Sequence, residues 1–416
     1  MTAVDHDVIV IGAGPAGLLL AAELTRRGID TELLERRTES RYEGEAGSRA
    51  VGVHPPVLAA LESSGATERI LDEGARIPRG IARAKGRTIG EVRLDRLPIR
   101  FPFAVSVPQA ITEAAVAAGG PIPRRGVCAV SLAERSDHVA VAVRRGSVRA
   151  ELRARAVVVA AGASGRDLME PFIPQRGRAY RDRYLMADLL SAPGQPRDTA
   201  IITLHPAGVV ESFPLPGGGR RLVARIGAST EGGSSPSADE AAAQLRRAVA
   251  DRTGEERLAA GIELASAFGI RRALLRRMRC GRVIAIGDTA HEVSPIGGQG
   301  MNLALLDAVA LAPVLARWLT ETGAEAGGTR ELDRWERDRL ASARTAARLA
   351  GMNTALGRSR APWAFACTAA AIGASLSTPL ARSAARAYAM GFDRAAKRPA
   401  EAPLGLTRGT VAEPEA

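Results

Sequence analysis

The segment from Asp7 to Glu35 constrains this chain more than any other. Asp7 to Ile11 (DVIVI) is a short apolar run of the kind buried on both faces of a parallel sheet. Gly12-Ala13-Gly14-Pro15-Ala16-Gly17 follows at once, and Leu18 to Arg27 is a helical segment that Gly28 closes in the C-cap position. In such a turn Gly12 permits the tight bend, Gly14 lets the backbone approach a pyrophosphate, and Gly17 lets the helix pack on the strand, while the helix N-terminus favours negative charge. A second strand, Thr31 to Leu34, ends in Glu35, about 20 residues after the last glycine and suited to ribose hydroxyls. A lone glycine fingerprint carries little information. Here the strand, the helix and the acidic residue all fall where a dinucleotide needs them.

A second stretch, Val283 to Asn302 (VIAIGDTAHEVSPIGGQGMN), also reads as a strand that ends in a loop. Gly287 lets the backbone bend, Asp288 is an acceptor-only carboxylate suited to a polyol hydroxyl, and Gly297, Gly298 and Gly300 remove side chains where a helix begins. Free backbone N–H groups at that helix start could face a planar anionic ring. Alone, the stretch reads equally well as a loop with tight turns. A third strand end, Ala156 to Ala160 running into Ala161-Gly162-Ala163-Ser164-Gly165, has the same form.

Composition excludes several classes. With 416 residues, 46% hydrophobic and 25% charged, the chain has ordinary globular composition and room for two cores. The net charge of +12 rests on scattered arginines, since Lys85 and Lys397 are the only lysines, and no basic cluster interleaved with aromatics signals a nucleic-acid partner. An anionic cofactor or peripheral contact with an acidic membrane surface stays open. Cys128, Cys280 and Cys367 are odd in number and far apart, without metal-ligand spacing, so no metal site is expected and the chain reads as reduced and cytoplasmic. Acidic residues before the first strand argue against a signal peptide. The uncharged stretch from Ala361 to Ala381 contains Pro362 and Pro379 and many small residues, so it is expected to be a buried or surface-docked helix and not a transmembrane span.

Between the motifs the pattern is mostly that of strands. Pro55-Pro56 opens a short helix that Gly65 stops, with His54 at its entry as either a proton carrier or a helix-entry residue. Gln109 begins another helical segment, where it could bond a cofactor or cap. Val127 to Ala133, Val139 to Arg145 and Val148 to Leu152 read as an antiparallel meander. Tyr184 to Leu190, Thr199 to His205, Gly208 to Phe213 and Leu222 to Ile226 form a second set of strands, in which Tyr184 and His205 could line a substrate pocket or simply fill core. After Asn302 an apolar helix runs to Leu319, with Pro313 expected to kink it at a cost of about 3 kcal/mol, and Leu332 to Leu349 is a charged helix.

Taken in order, Gly12/Gly14/Gly17 with Glu35-Arg36, Arg49-Ala50 before a short helix, Ala160 to Ser164, and Gly287-Asp288 with His291, Pro295, Gly297-Gly298-Gln299-Gly300, Met301 and Asn302 resemble the single-component FAD-dependent (group A) aromatic monooxygenases similar to para-hydroxybenzoate hydroxylase. The later pattern Leu332, Trp335-Glu336, Arg339 is also similar, with Trp335 where that family usually has tyrosine. The likeness covers roughly residues 5 to 350. It implies an α/β fold: an FAD-binding Rossmann-like (GR2-type) domain (1–75, 104–170, 268–320) with an interleaved β-sheet substrate domain (76–103, 171–267), a C-terminal helical region (321–396), and a tail (397–416) expected to be disordered.

By the same resemblance, Gly12, Gly14, Pro15, Ala16 and Gly17 would hold the pyrophosphate, Glu35 with Arg36 the adenosine ribose, and Asp288 the ribityl chain. Arg49, Gln109 and Gly162 would line the FAD. The turn from Pro295 through Gly297, Gly298, Gln299, Gly300 and Met301 to Asn302 would cradle the flavin's pyrimidine edge. NADPH or NADH would reduce the flavin, dioxygen would add to it, and the hydroperoxide would hydroxylate an aromatic, quinone-like or polyketide-type ring. One departure stands out: the family's middle motif carries aspartate before glycine, linked to both FAD and NAD(P)H, and this chain has Ala161, which accepts no hydrogen bond. No catalytic base is assigned by the likeness, which leaves His54, Tyr184 and His205 as candidates. Two alternatives share the fold: a flavin-dependent reductase or dehydrogenase of isoprenoid or lipid substrates, and a non-catalytic binder of a lipid or partner protein like the Rab GDP-dissociation inhibitors.

Overall fold

A computed structural model describes residues 4–39, 52–174, 177–228, 236–321, 330–359 and 361–393; Arg49 and the tail from residue 397 lie outside them. Strand β1 (His6–Ile11), helix α1 (Pro15–Thr25) and β2 (Thr31–Glu35) realise the expected N-terminal unit. The chain next forms β3 (Arg79–Ala84), β4 (Arg87–Arg93) and α2 (Gln109–Ala117). The meander follows as β5 (Cys128–Glu134), β6 (Val139–Arg145) and β7 (Val148–Val159). Then come β8 (Gly177–Leu189), β9 (Thr199–Leu204), β10 (Val210–Pro214), β11 (Arg220–Ala228), α3 (Ala238–Thr253) and β12 (Ser266–Leu274). Strand β13 (Val283–Ala285) leads to four helices, α4 (Gln299–Glu321), α5 (Arg330–Leu356), α6 (Pro362–Leu376) and α7 (Leu380–Tyr388).

Two large sheets organise these elements. In the first, β13, β7, β1 and β2 lie side by side, and each neighbouring pair is parallel. Val8, Ile9 and Val10 are completely buried there, as expected of a parallel strand covered on both faces. Helix α1 covers one face with Leu19, Leu20 and Leu24, and packs against α4. The second sheet runs β12-β8-β11-β10-β9-β3-β4, antiparallel except where β9 pairs with β3. Its outer face buries Leu185, Leu222 and Val210 against Leu245 and Val249 of α3. Its inner face turns toward the carboxyl ends of β1, β7 and β13.

The boundary between the two units differs from the sequence expectation. Residues from 268 onward were assigned to the cofactor domain, but β12 pairs antiparallel with β8 (Tyr184 opposite Phe268) and so belongs to the second sheet. The first sheet resumes only with the short strand Arg279–Cys280. Helix α4 continues through Pro313, and although it is long and apolar enough to cross a membrane, 72% of its apolar window is buried in the fold, so it is a core helix. Helices α6 and α7 meet at 96° and lie against β4, with only Phe365 of α6 fully buried.

Candidate active site

The strand ends, the inner face of the second sheet and helices α5 to α7 enclose one cavity of ≈ 1250 Å³. The glycine turn after β1 forms one end. Gly12 has φ +108, and a Cβ there would meet Ala160 O at 2.7 Å; one at Gly17 would fall 1.8 Å from Gly12 O. By contrast, a Cβ on Gly14 would meet nothing within 4 Å. Gly12, Gly14, Pro15 and Ala16 border the cavity, whereas Gly17 is packed behind them. Glu35 lies at the same edge and accepts hydrogen bonds from Ala13 N (2.9 Å) and Arg37 N (3.0 Å). Its carboxylate therefore ties the glycine turn to β2 and keeps further lone pairs for a hydroxyl donor. Arg36 borders the cavity beside it.

Along the middle, Gly162, Gln109 and Asp288 border the space. Gln109 opens α2 and donates from Nε2 to Glu113 Oε1 at 2.9 Å. Asp288 sits in the 3-10 turn Gly287–Thr289, whose carbonyl at Asp288 accepts from Arg166 Nη2 (3.1 Å) while the same guanidinium pairs with Glu292. Where the resembled family has aspartate, Ala161 borders the cavity, and Glu292 and Asp167 are among the acidic residues that border it too.

The other end is the turn before α4. Pro295, Gly297, Gly298, Gly300 and Met301 border the cavity, and the 23-residue helix begins at Gln299, directing free amides and the positive end of its dipole inward. Gln299 and Asn302 do not border it. Asn302 is fully buried: Oδ1 accepts from His54 N (2.7 Å), and Nδ2 donates to Gly52 O (2.7 Å) and Gly298 O (2.8 Å). The Asn302 side-chain amide thus braces the turn against the segment entering the short helix at Pro55.

What holds Asp288 in position is a buried ionic hub that the sequence shows only in part. Asp307 of α4 accepts from Gly287 N (3.0 Å), His291 Nε2 (2.5 Å) and Arg339 Nε (2.7 Å). Arg339 of α5 also grips both oxygens of Asp393 at 2.8 Å. Burial pushes the Asp307 carboxyl up, but His291 and Arg339 outweigh it and hold it below the ordinary carboxylate range. Glu336, one helical turn before Arg339, accepts from Met278 N (2.6 Å) and Arg279 N (2.9 Å) and so ties α5 to the strand before β13.

The three candidate proton carriers separate in space. His54 borders the cavity next to the Gly297 turn, but burial pushes its imidazole down to about 4 despite the Gly297 and Tyr388 backbone, so it is neutral at neutral pH. Tyr184 stacks on Phe268 (5.6 Å between centroids) outside the cavity lining, and burial, with Glu211 and Asp182 nearby, pushes its phenol up. His205 accepts from Ala207 N at 3.2 Å and closes a turn away from the cavity. Neither borders the cavity.

The sequence reading passed over Glu211. It lies on the inner face of β10, is 6% exposed, borders the cavity, and is raised to about 7 by burial. An unfolded carboxyl titrates near 4.5, so its cost to the fold is absent below that pH, sets in as pH rises toward 7, and reaches roughly 3 kcal/mol above it. Glu211→Leu should therefore raise stability in urea unfolding at pH 8 by an amount of that order, with the gain shrinking by pH 5. Equal gains at both pH values would contradict this.

These features fit a flavin dinucleotide: two helix N-termini at opposite ends, an open face at Gly14 between closed ones, and acidic hydroxyl acceptors at Glu35 and Asp288. A profile of the FAD binding domain family matches residues 5–350. The chain belongs to the FAD binding domain family. This FAD-binding chain is similar to the rifampicin monooxygenase of Streptomyces venezuelae, 33% identical over 320 residues, which cover 74% of this chain and 64% of that one. It is also similar to 6-methylpretetramide 4-monooxygenase of Streptomyces rimosus, 30% identical over 321 residues covering 74% and 55%. The chain thus spans a little under two thirds of these relatives' length or less. Among solved structures, p-nitrophenol 4-monooxygenase from Pseudomonas putida matches with a TM-score of 0.79 over 95% of this chain and 100% of that one, at 21% identity, a likeness of fold. FAD is the cofactor of this FAD-binding fold.

Proposed function

We propose that this chain is an FAD-dependent monooxygenase that places one oxygen atom from O2 on a phenolic, quinone-like or polyketide-type aromatic, with NADPH or NADH as reductant. The observation that carries this reading is the continuity of one cavity, from the glycine turn past Asp288 to the face of a second sheet. Its ≈ 1250 Å³ exceeds the ~300–1,000 Å³ usual for a single small ligand, which leaves room for an organic substrate beside the cofactor. The relatives named above, called monooxygenases of rifampicin and 6-methylpretetramide, support the same class. Bound flavin supplies the redox chemistry, taking electrons from the nicotinamide and activating dioxygen.

The protein's own part is binding, orientation and water exclusion. Backbone amides around Gly14 and the start of α1 would receive the pyrophosphate, Glu35 the ribose, Asp288 the ribityl hydroxyls, and the Gly297–Gly298 turn the flavin's pyrimidine edge, where the positive end of α4 favours the negative charge of the reduced ring. Ile202, Met186, Val223 and Phe268 of the second sheet, with Ile372 and Leu376 of α6 opposite, give the substrate end apolar walls. Glu211 and Arg221 interrupt those walls, which favours a hydroxylated polycycle over an isoprenoid hydrocarbon or other lipid. Free Cys128, Cys280 and Cys367 suit a cytoplasmic location.

The purified protein should be yellow with a flavin spectrum. Anaerobic reduction by NADPH should accelerate with a phenolic polycycle present, and aerobic turnover under 18O2 should label the product with one atom. A protein that oxidises neither NADPH nor NADH, with or without a panel of aromatics, would sink the reading. Substrate turnover without oxygen in the product would point to a reductase instead.

A further inference from the structure

We infer that Glu211 is the substrate-side proton acceptor: its carboxylate receives the hydroxyl of a phenolic or enolic ring and draws off its proton. This rests on the monooxygenase reading above. Strand register sets the side chain in an unusual place. Ile202 pairs with Glu211, Glu211 with Val223, and Val223 with Met186, while Ala82 lies beyond Ile202 on β3. The result is one row across five strands, with a carboxyl at the centre of apolar neighbours. Its next neighbours on the face along β10 and β11, Phe213 and Arg221, are themselves a pair, and Arg221 is held by Asp188 through two bonds of 2.6 Å.

Among the described residues no hydrogen bond or ion pair satisfies the Glu211 carboxyl, although the residue is nine-tenths buried and borders the cavity. A buried carboxyl without a protein partner costs stability, so its place on the wall calls for a ligand that completes it. The ionisable groups that face it from other elements do not neutralise it. Tyr388 of α7, opposite across the cavity, and Tyr184 of β8 are both pushed up in part by the Glu211 charge. His54 stays neutral beside the Gly297 turn, and Glu292 is already paired with Arg166.

The step balances simply. The phenolic O–H bond breaks, its proton forms an O–H bond on Glu211, and the electron pair left on oxygen enriches the ring carbons ortho and para to it, where an electrophilic oxygen is accepted. A carboxyl titrating near neutrality suits this exchange in both directions. Because the same neutral ring could dock without proton transfer, the contrast that matters is between a hydroxyl and its methyl ether.

The test uses the full-length FAD-loaded protein without reductant and two fluorescent probes, 2-naphthol, which stays neutral between pH 5.5 and 8.5, and 2-methoxynaphthalene. Wild type should bind 2-naphthol at least tenfold more tightly at pH 8.5 than at pH 5.5, and should bind the ether equally at both. Glu211→Gln, with its FAD content and circular dichroism checked, should bind 2-naphthol with the same affinity at both pH values. A pH step that survives in Glu211→Gln, an equal step for the ether, or no step in wild type overturns the assignment. Since no turnover is read, a failed hydroxylation assay beside an intact pH step would count against the monooxygenase reading alone, and the reverse against Glu211 alone.

Discussion

Arg339→Met should destabilise the protein by about 3–5 kcal/mol, the cost of leaving buried charge without its partner. Arg339 is 1% exposed and bonds two carboxylates, Asp307 and Asp393, that are themselves fully buried. Methionine fills much of the volume, so the loss is electrostatic and not a cavity effect. Two features separate this from a general core defect. Asp307 also holds Gly287 N and His291, so the Gly287–Thr289 turn should loosen and FAD affinity should fall with stability. The Asp307 carboxyl is held below its ordinary range, so its contribution is present above the unfolded carboxylate pKa and fades as pH falls through the folded one; the gap between wild type and variant should narrow in acid. Urea unfolding at pH 7 and at pH 3, below the unfolded value of 3.8, with FAD content measured alongside checks this. A variant within 1 kcal/mol of wild type at pH 7 would show that the hub does not carry the turn.

The second large effect is a contrast between two glycines three residues apart. Gly14→Val should fold and lose FAD, with affinity at least 100-fold weaker, or about 2.7 kcal/mol. Gly14 has φ −84 and ψ −178, an extended conformation that any residue adopts, and its Cβ would point into open space. That space is the face a pyrophosphate must approach. Gly17→Ala should fail to fold, because even one methyl group would lie 1.8 Å from the Gly12 carbonyl and drive α1 off β1. Flavin absorbance and melting temperature of the purified variants measure both. A Gly14→Val protein that keeps its full flavin complement would remove the pyrophosphate from this turn.

The features legible in the sequence were those whose physical cause is local. A buried strand, a glycine turn, a helix and an acid at the next strand end occupy a few dozen consecutive residues, and the turn that starts α4 is equally contiguous, so β1, α1, β2, Glu35 and Asp288 could be read directly. Gly17 and Gly14 look alike in the chain, and one local template gives them different parts, close packing at Gly17 and an open face at Gly14. The inner sheet is different. Its strands were read from their β-favouring residues, yet Tyr184 and His205 drew attention because their side chains titrate, while VESFP gave no reason to single out its glutamate.

Only the tertiary structure decided which groups serve the site. The Asn302 side chain braces the turn before α4 because the chain at Gly52 and His54 comes back to it from 250 residues away. Strand β12 passed from one domain to the other because its partner is β8. Glu211 became the exceptional group because Ile202 and Val223, on two other strands, remove its water, and Arg339 became essential because two acids, one from α4 and one from the segment after α7, converge on it. Backbone conformation is set by neighbours along the chain and can be read there. The pKa of a carboxyl, or the role of an amide, is set by neighbours across space, and sequence order alone does not say who they are.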